Sequence, residues 1–161
     1  MQTLQTLAHY HIKKINPKAI IAITGSNGKT TTKELVHAVL ASTYKTHYTK
    51  GNLNNHIGIP ITLLEMEKGT EIAVIEMGAN HQKEIESYCK YVEPTHGIIT
   101  NCGKAHLEGF GGTQGIRKGK GELYDYLKQH QGTVFVNGDD TILLDMVKER
   151  IPTRSTVYFS R

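Results

Sequence analysis

The chain has 161 residues, 38% of them hydrophobic and 21% charged, which suits one folded domain with a core and excludes a disordered segment. Its 19 lysines and arginines against 15 acidic residues leave a formal charge of +4. The basic side chains are scattered, so a solvated surface explains the excess and no nucleic-acid partner is expected. No apolar run approaches the ~20 residues that span a bilayer, and the opening MQTLQTLAHYHIKK lacks the layout of a secretion signal, so a cytoplasmic protein with no membrane partner is expected.

In chain order, residues 1–17 read as a short segment ahead of a domain that fills residues 18–161. Ala19 to Ile23 (AIIAI) is an apolar run with no polar break, the pattern of a strand buried on both faces of a parallel sheet. A helix is predicted over Thr31 to Leu40, where Leu35, Val36, Val39 and Leu40 recur at helical spacing. Tyr44 to Thr49 is a more polar strand candidate. Pro60 sits where a helix can begin, because its missing N–H costs nothing there, and Ile61, Leu63, Leu64 and Met66 supply an apolar face. Ile72 to Ile75 (IAVI) predicts another buried strand, and His81 to Val92 an amphipathic helix that ends before Pro94.

Gly97 to Thr100 (GIIT) is a third buried run, followed by a glycine-rich stretch from Gly103 to Gly115 and a helix from about Ile116 to Gln129. A strand at Thr133 to Val136, a turn at Asn137 to Asp140, a helix through Val147 and a strand at Thr156 to Phe159 complete the pattern. The alternation predicts an α/β fold: a doubly wound, mostly parallel sheet with right-handed crossovers and helices on both faces. Ligands in such sheets lie beyond the carboxyl ends of the strands, which is where the polar clusters of this sequence fall. Cys89 and Cys102 have neither CxxC spacing nor histidines at metal-ligand spacing, and read as two reduced thiols.

The run AIIAITGSNGKTTTKELV joins a buried strand to a helix through a loop that fits a nucleotide triphosphate. Gly25 and Gly28 allow the N–H groups of Ser26, Asn27 and their neighbours to turn toward an anion, and the helix start at Thr31 adds unpaired donors and a positive dipole end. Lys29 reaches the β and γ phosphates, and Thr30 places its hydroxyl on Mg²⁺. The general pattern wants a glycine five positions before Gly28, where Ile23 stands, so this is a shortened G-x-x-G-K-T loop. Glu76, at the end of the IAVIE strand, can turn its carboxylate toward the loop to hold the metal. A solvated strand-end glutamate is the competing reading. His106, after the GIITN strand, is a second candidate ligand, against the alternative of a surface or satisfied core histidine.

TGSNGKTTTKEL, TKGNLNNHIGIPITLL, AVIEMGANHQKEIE, GIITNCGKAHLEGFGG, KGKGELYDYL and VFVNGDD, in that order, resemble the central ATP-binding domain of the Mur ligases from about Ile20 to Asp140. EMGAN with AHLEGFGG points to the branch that adds D-alanyl-D-alanine to UDP-N-acetylmuramoyl-tripeptide. The resemblance implies catalytic roles for Lys29, His106 and Lys120, and magnesium held by Thr30, Glu76, His106 and Lys120, with two ions expected. Asn52, Asn54 and Asn55 match a loop near the muramoyl substrate. Lys120 matches a lysine carried as a carbamate, an anionic oxygen ligand suited to two Mg²⁺ ions. The family usually has alanine before this lysine; here Gly119 weakens the helix by ~1 kcal/mol.

The implied chemistry is ATP-dependent amide formation through an acyl phosphate, in a protein expected to be monomeric. Its length makes the chain look like a fragment carrying the phosphate end of the site, inactive as a ligase by itself. Another Mur ligase, a folylpolyglutamate synthase-like ligase, or a nucleotide-binding module without chemistry are the alternatives.

Overall fold

The computed structural model describes residues 2–103, 107–151 and 155–160. Six strands form one sheet: β1 (Ala19–Thr24), β2 (Thr46–Tyr48), β3 (Ile72–Glu76), β4 (His96–Ile99), β5 (Thr133–Asn137) and β6 (Thr156–Phe159). Their order is β2-β3-β1-β4-β5-β6 and every pairing is parallel. The helices are α1 (Gln2–Ile15), α2 (Lys29–Leu40), α3 (Gly58–Leu64), α4 (Glu84–Val92), α5 (Leu107–Phe110), α6 (Thr113–Gln129) and α7 (Thr141–Arg150). This is the α/β architecture expected.

Side chains alternate between the two faces of a strand. Ile20 and Ala22 of β1, Ala73 and Ile75 of β3, Ile99 of β4, and Val134 and Val136 of β5 join one core with α1, α3, α4, α6 and α7. At Gly97 an added Cβ would stand 2.5 Å from Leu127, so glycine lets α6 close onto β4. The opposite face carries α2, and an apolar groove of about 460 Å³ runs between that helix and Ile21, Ile98, Phe135 and Phe159.

Several boundaries differ from the sequence expectation, each for a local reason. The helix expected from Thr31 begins at Lys29, because Gly28 adopts φ 77 and turns the chain directly into it. The helix expected from His81 begins at Glu84, whose own carboxylate accepts the Asn80 and His81 N–H groups and holds them in a turn. Thr113 to Gly115, expected as part of the glycine-rich stretch, open α6, and α5 makes a single turn before it. Residues 2–15 form a helix whose Ala8 and Ile12 enter the core, and His11 Nε2 lies 2.8 Å from the Met66 carbonyl. No helix among the described residues is long and apolar enough to cross a membrane. Both cysteines are free thiols, and burial raises Cys102 to about 11.

Candidate active site

The register of the sheet brings three strand ends level. Ile23 pairs with Glu76, and Thr24 with Ile99, so the loop after β1 opens between the ends of β3 and β4. The chain runs from β1 out to β2, returns through β3, and then crosses to β4 on the other side of β1. That reversal leaves a crevice at the carboxyl end of β1, where α/β sheets bind ligands.

Close packing shapes the loop itself. A Cβ on Gly25 would stand 1.9 Å from the Thr100 hydroxyl, and Gly25 has φ 145, so only glycine fits. The end of β4 then braces the turn. Thr100 Oγ1 donates to the Asn27 carbonyl at 2.6 Å, Asn101 Nδ2 donates to the same carbonyl at 3.0 Å, and Asn27 N donates to Asn101 Oδ1 at 3.2 Å. Ser26 N donates to the Asn101 carbonyl at 3.0 Å, and Ser26 Oγ to the Gly103 carbonyl at 2.9 Å, so the Ser26 and Asn27 N–H groups, expected to face an anion, are instead taken by Asn101. Thr100 and Asn101 carry no motif that marks them for this role. Their only sequence signal was position at a strand end, since their partners lie 73 and 74 residues away.

The Lys29 ammonium curls over this loop, 2.9 Å from the Gly25 carbonyl and 3.3 Å from that of Ser26. Burial lowers its pKa, with Glu76 acting in the opposite sense. The N-terminus of α2 has no side-chain cap, whereas Asp140 caps α7 by accepting from Ile142 N and Leu143 N. Uncapped N–H groups beside a lysine form an anion site.

Glu76 is 1% exposed, which settles it as a buried carboxylate rather than a solvated strand end. Thr30 Oγ1 donates to its Oε1 at 3.2 Å and Asn54 Nδ2 to the same oxygen at 2.8 Å. Oε2 has no hydrogen-bond partner, although the Lys33 ammonium lies 3.7 Å away. A buried carboxylate that takes a threonine hydroxyl on one oxygen and no hydrogen bond on the other suits a hard divalent cation, which takes few protein ligands and keeps waters and phosphate oxygens. Among the described residues no three His, Cys, Asp or Glu side chains cluster as a metal cage. His106 lies outside the described residues.

Of the asparagine loop, Asn54 turns to Glu76 while its carbonyl accepts from Gly78 N at 2.7 Å. Asn55 Oδ1 accepts from Ile57 N and Gly58 N at 3.0 and 2.9 Å and so starts α3, and Asn52 is exposed. Next to Lys29 a hollow of about 350 Å³ is lined by Asn54, Asn55, His56, Asn80, Glu84 and Tyr88. Of these, His56, Asn80, Glu84 and Tyr88 were not singled out from sequence.

Lys120 is 2% exposed, with Nζ donating to the Ala79 carbonyl at 3.3 Å and lying 5.0 Å from the Phe110 ring centroid. Two residues on, Glu122 accepts from Lys83 N and Glu86 N at 2.6 and 3.0 Å, tying α6 to the start of α4. Gly119 also has a structural explanation: a Cβ there would meet Phe110 Cε1 at 2.4 Å. Glycine makes room for the ring that covers Lys120.

Burial, reinforced by Lys29, lowers Lys120 to about 8. A lysine depressed in the folded state is neutral there, yet charged in the unfolded chain, between pH 8 and its ordinary 10.5. The unfolded state then binds more protons, so stability gains as pH rises through that window. Denaturant midpoints at pH 7.5 and 9.5 check this. The wild type should gain relative to Lys120→Met across the interval, and a parallel response would rule it out.

Residues 23–160 match the family model of the Mur ligase middle domain. The chain belongs to the Mur ligase family. It is 42% identical over 143 residues to the UDP-N-acetylmuramoyl-tripeptide–D-alanyl-D-alanine ligase of Bacillus subtilis, covering 89% of this chain and 31% of that one. Among solved structures, MurF of Thermotoga maritima in complex with ADP superposes with a TM-score of 0.88 at 33% identity, covering 99% of this chain and 36% of the other. MurF of Acinetobacter baumannii gives 0.85 at 39% identity, covering 98% and 34%. The chain therefore spans about a third of the length of the relatives it matches. The branch of Mur ligases expected from EMGAN and AHLEGFGG is the one these relatives belong to.

Proposed function

We propose that these residues form the phosphoryl-donor half of a MurF-type ligase, which joins D-alanyl-D-alanine to UDP-N-acetylmuramoyl-tripeptide at the expense of ATP, in the cytoplasm and as a monomer. In this assignment residues 18–161 are part of the central domain. One observation carries it: the buried Glu76 carboxylate, shared by Thr30 and Asn54, sits at the mouth of a phosphate loop whose Lys29 faces a polar hollow.

In this reading the loop and the α2 N-terminus take the β and γ phosphates, with Lys29 over them. Thr30 and Glu76 hold magnesium, joined by His106 and a carbamate on Lys120 at a second ion. Magnesium supplies charge neutralisation on the phosphoryl oxygens. The hollow beside Lys29 receives the terminal carboxylate of the tripeptide, with Asn52, Asn54 and Asn55 on its acceptor side. That carboxylate attacks the γ phosphorus, the bond to the β–γ bridging oxygen breaks, and ADP leaves an acyl phosphate behind. The amine of D-alanyl-D-alanine then displaces phosphate. Lys29 stabilises charge spreading over the transferred group, and the braced loop fixes the line of attack, which is most of what phosphoryl transfer asks of a protein. Carbamate formation needs a neutral amine, and burial brings Lys120 to about 8, where that form is accessible near neutrality.

Assays of a family-length protein containing this chain, offering D-alanyl-D-alanine, diaminopimelate, lysine or glutamate as amine, decide the substrate. Turnover with D-alanyl-D-alanine alone is the expected result, and preference for any of the others refutes the assignment. Crystals grown with nucleotide, Mg²⁺ and bicarbonate should show a carbamate at Lys120, and a plain amine there counts against that role.

A further inference from the structure

We infer that Lys33 is a positioning residue that couples the Gly51–Asn54 loop to the Glu76 carboxylate, so that the acceptor-side loop and the metal-side ligand are set as one unit. This rests on the reading of Glu76 as a magnesium ligand. Lys33 lies one turn along α2 from Lys29 and Thr30, on the inner side of the helix. Its side chain is fully buried, a state shared among the described lysines with Lys120 alone. A buried ammonium persists only where its charge and its donors are satisfied.

The partners of Lys33 come from separate elements. Its Nζ stands 3.7 Å from Glu76 Oε2 at the end of β3, donates to the Gly51 carbonyl at 3.1 Å, and lies 5.6 Å from the Tyr48 ring centroid at the end of β2. Glu34 on the same helix, about half exposed, adds an oxygen at 3.1 Å. The other Glu76 oxygen takes Asn54 Nδ2 at 2.8 Å, and the Asn54 backbone is fixed through Gly78 N at 2.7 Å.

Glu76 is thus held from both sides by one short stretch of chain: directly by Asn54, and through Lys33 by Gly51. The ammonium has three donors to satisfy, and one of them goes to a loop carbonyl. The Gly51 contact is what makes the pair report to the loop, and Gly51 itself sits at φ 54 in a tight turn. A shift of the carboxylate on taking up a cation therefore pulls on the loop through two linked handles.

Amide hydrogen exchange on the 161-residue chain, with Lys33→Met and Lys33→Gln, tests the coupling. Lys33→Met should speed exchange at Leu53, Asn54 and Gly78 by about tenfold, the loss of one charge-assisted bond, while β5 and α6 keep their protection. Lys33→Gln retains a donor for Gly51, so it should restore part of that protection. A second arm measures ADP affinity with and without Mg²⁺. Both variants should lose about tenfold of the tightening that Mg²⁺ confers, with Mg²⁺-free affinity within about twofold of wild type. Wild-type exchange at all three amides in Lys33→Met overturns the proposal; if that variant fails to fold, wild-type exchange together with wild-type Mg²⁺ tightening in Lys33→Gln does so. The magnesium reading is judged separately: Mg²⁺ tightening that survives Glu76→Gln, or is absent from the wild type, defeats that reading and leaves the exchange result to decide on Lys33.

Discussion

Lys29→Ala is expected to abolish ATP-dependent ligation in a family-length protein, lowering turnover by about a thousandfold or more, the scale on which one cation acts in phosphoryl transfer. The expectation comes from where the ammonium sits. It is half-buried, bonded to the Gly25 and Ser26 carbonyls, and backed by the uncapped end of α2. The fold holds this positive charge over the loop, where preorganised charge is most effective against a developing anion. Alanine removes that charge without disturbing the loop, whose shape is fixed by Gly25 against Thr100 and by the Asn101 contacts. Melting temperature should therefore stay near wild type while turnover collapses. Ligation within about tenfold of wild type would refute the phosphoryl role of Lys29.

The parts of this site that were legible in sequence are those whose causes are local. AIIAI, IAVI and GIIT announce central parallel strands because both faces are covered, and GSNGKTT announces a phosphate loop because strand, glycines and helix start adjoin. The edge strand Thr46–Tyr48 is half-buried, so its polar letters were a weak signal. Residues 2–15 offered little contrast: Ala8 and Ile12 are buried, yet Leu7 is 53% exposed. The start of α4 was hidden in Glu84, which serves as a cap for the turn before it and not as one more polar residue of the helix. Propensity made Gly119 a weakness, whereas the ring of Phe110 occupies the space a Cβ would take. Thr100, Asn101 and Lys33 act through partners brought close only by the sheet, and nothing in their immediate neighbourhood signals this.

Glu76→Ala should strongly destabilise the folded chain. The carboxylate is 1% exposed, and removing it strands the Lys33 ammonium, which has no exposure of its own and would keep only the Gly51 carbonyl and a half-exposed Glu34. Breaking one side of a buried ion pair costs about 3–5 kcal/mol, because the remaining charge stays in a poorly solvated place. Thr30 Oγ1 and Asn54 Nδ2 lose their acceptor as well. At this size each kcal/mol moves the melting temperature by about 2–4 °C, so a fall of roughly 6–20 °C is expected by calorimetry. Glu76→Gln keeps the volume and an acceptor for Asn54, and should recover part of that stability. The double variant Glu76→Ala with Lys33→Met removes the stranded charge and should be more stable than Glu76→Ala alone. If the double variant melts lower than Glu76→Ala, the cost lies in the lost packing and hydrogen bonds of the β3 end, and the buried pair is not what holds this end of the sheet together.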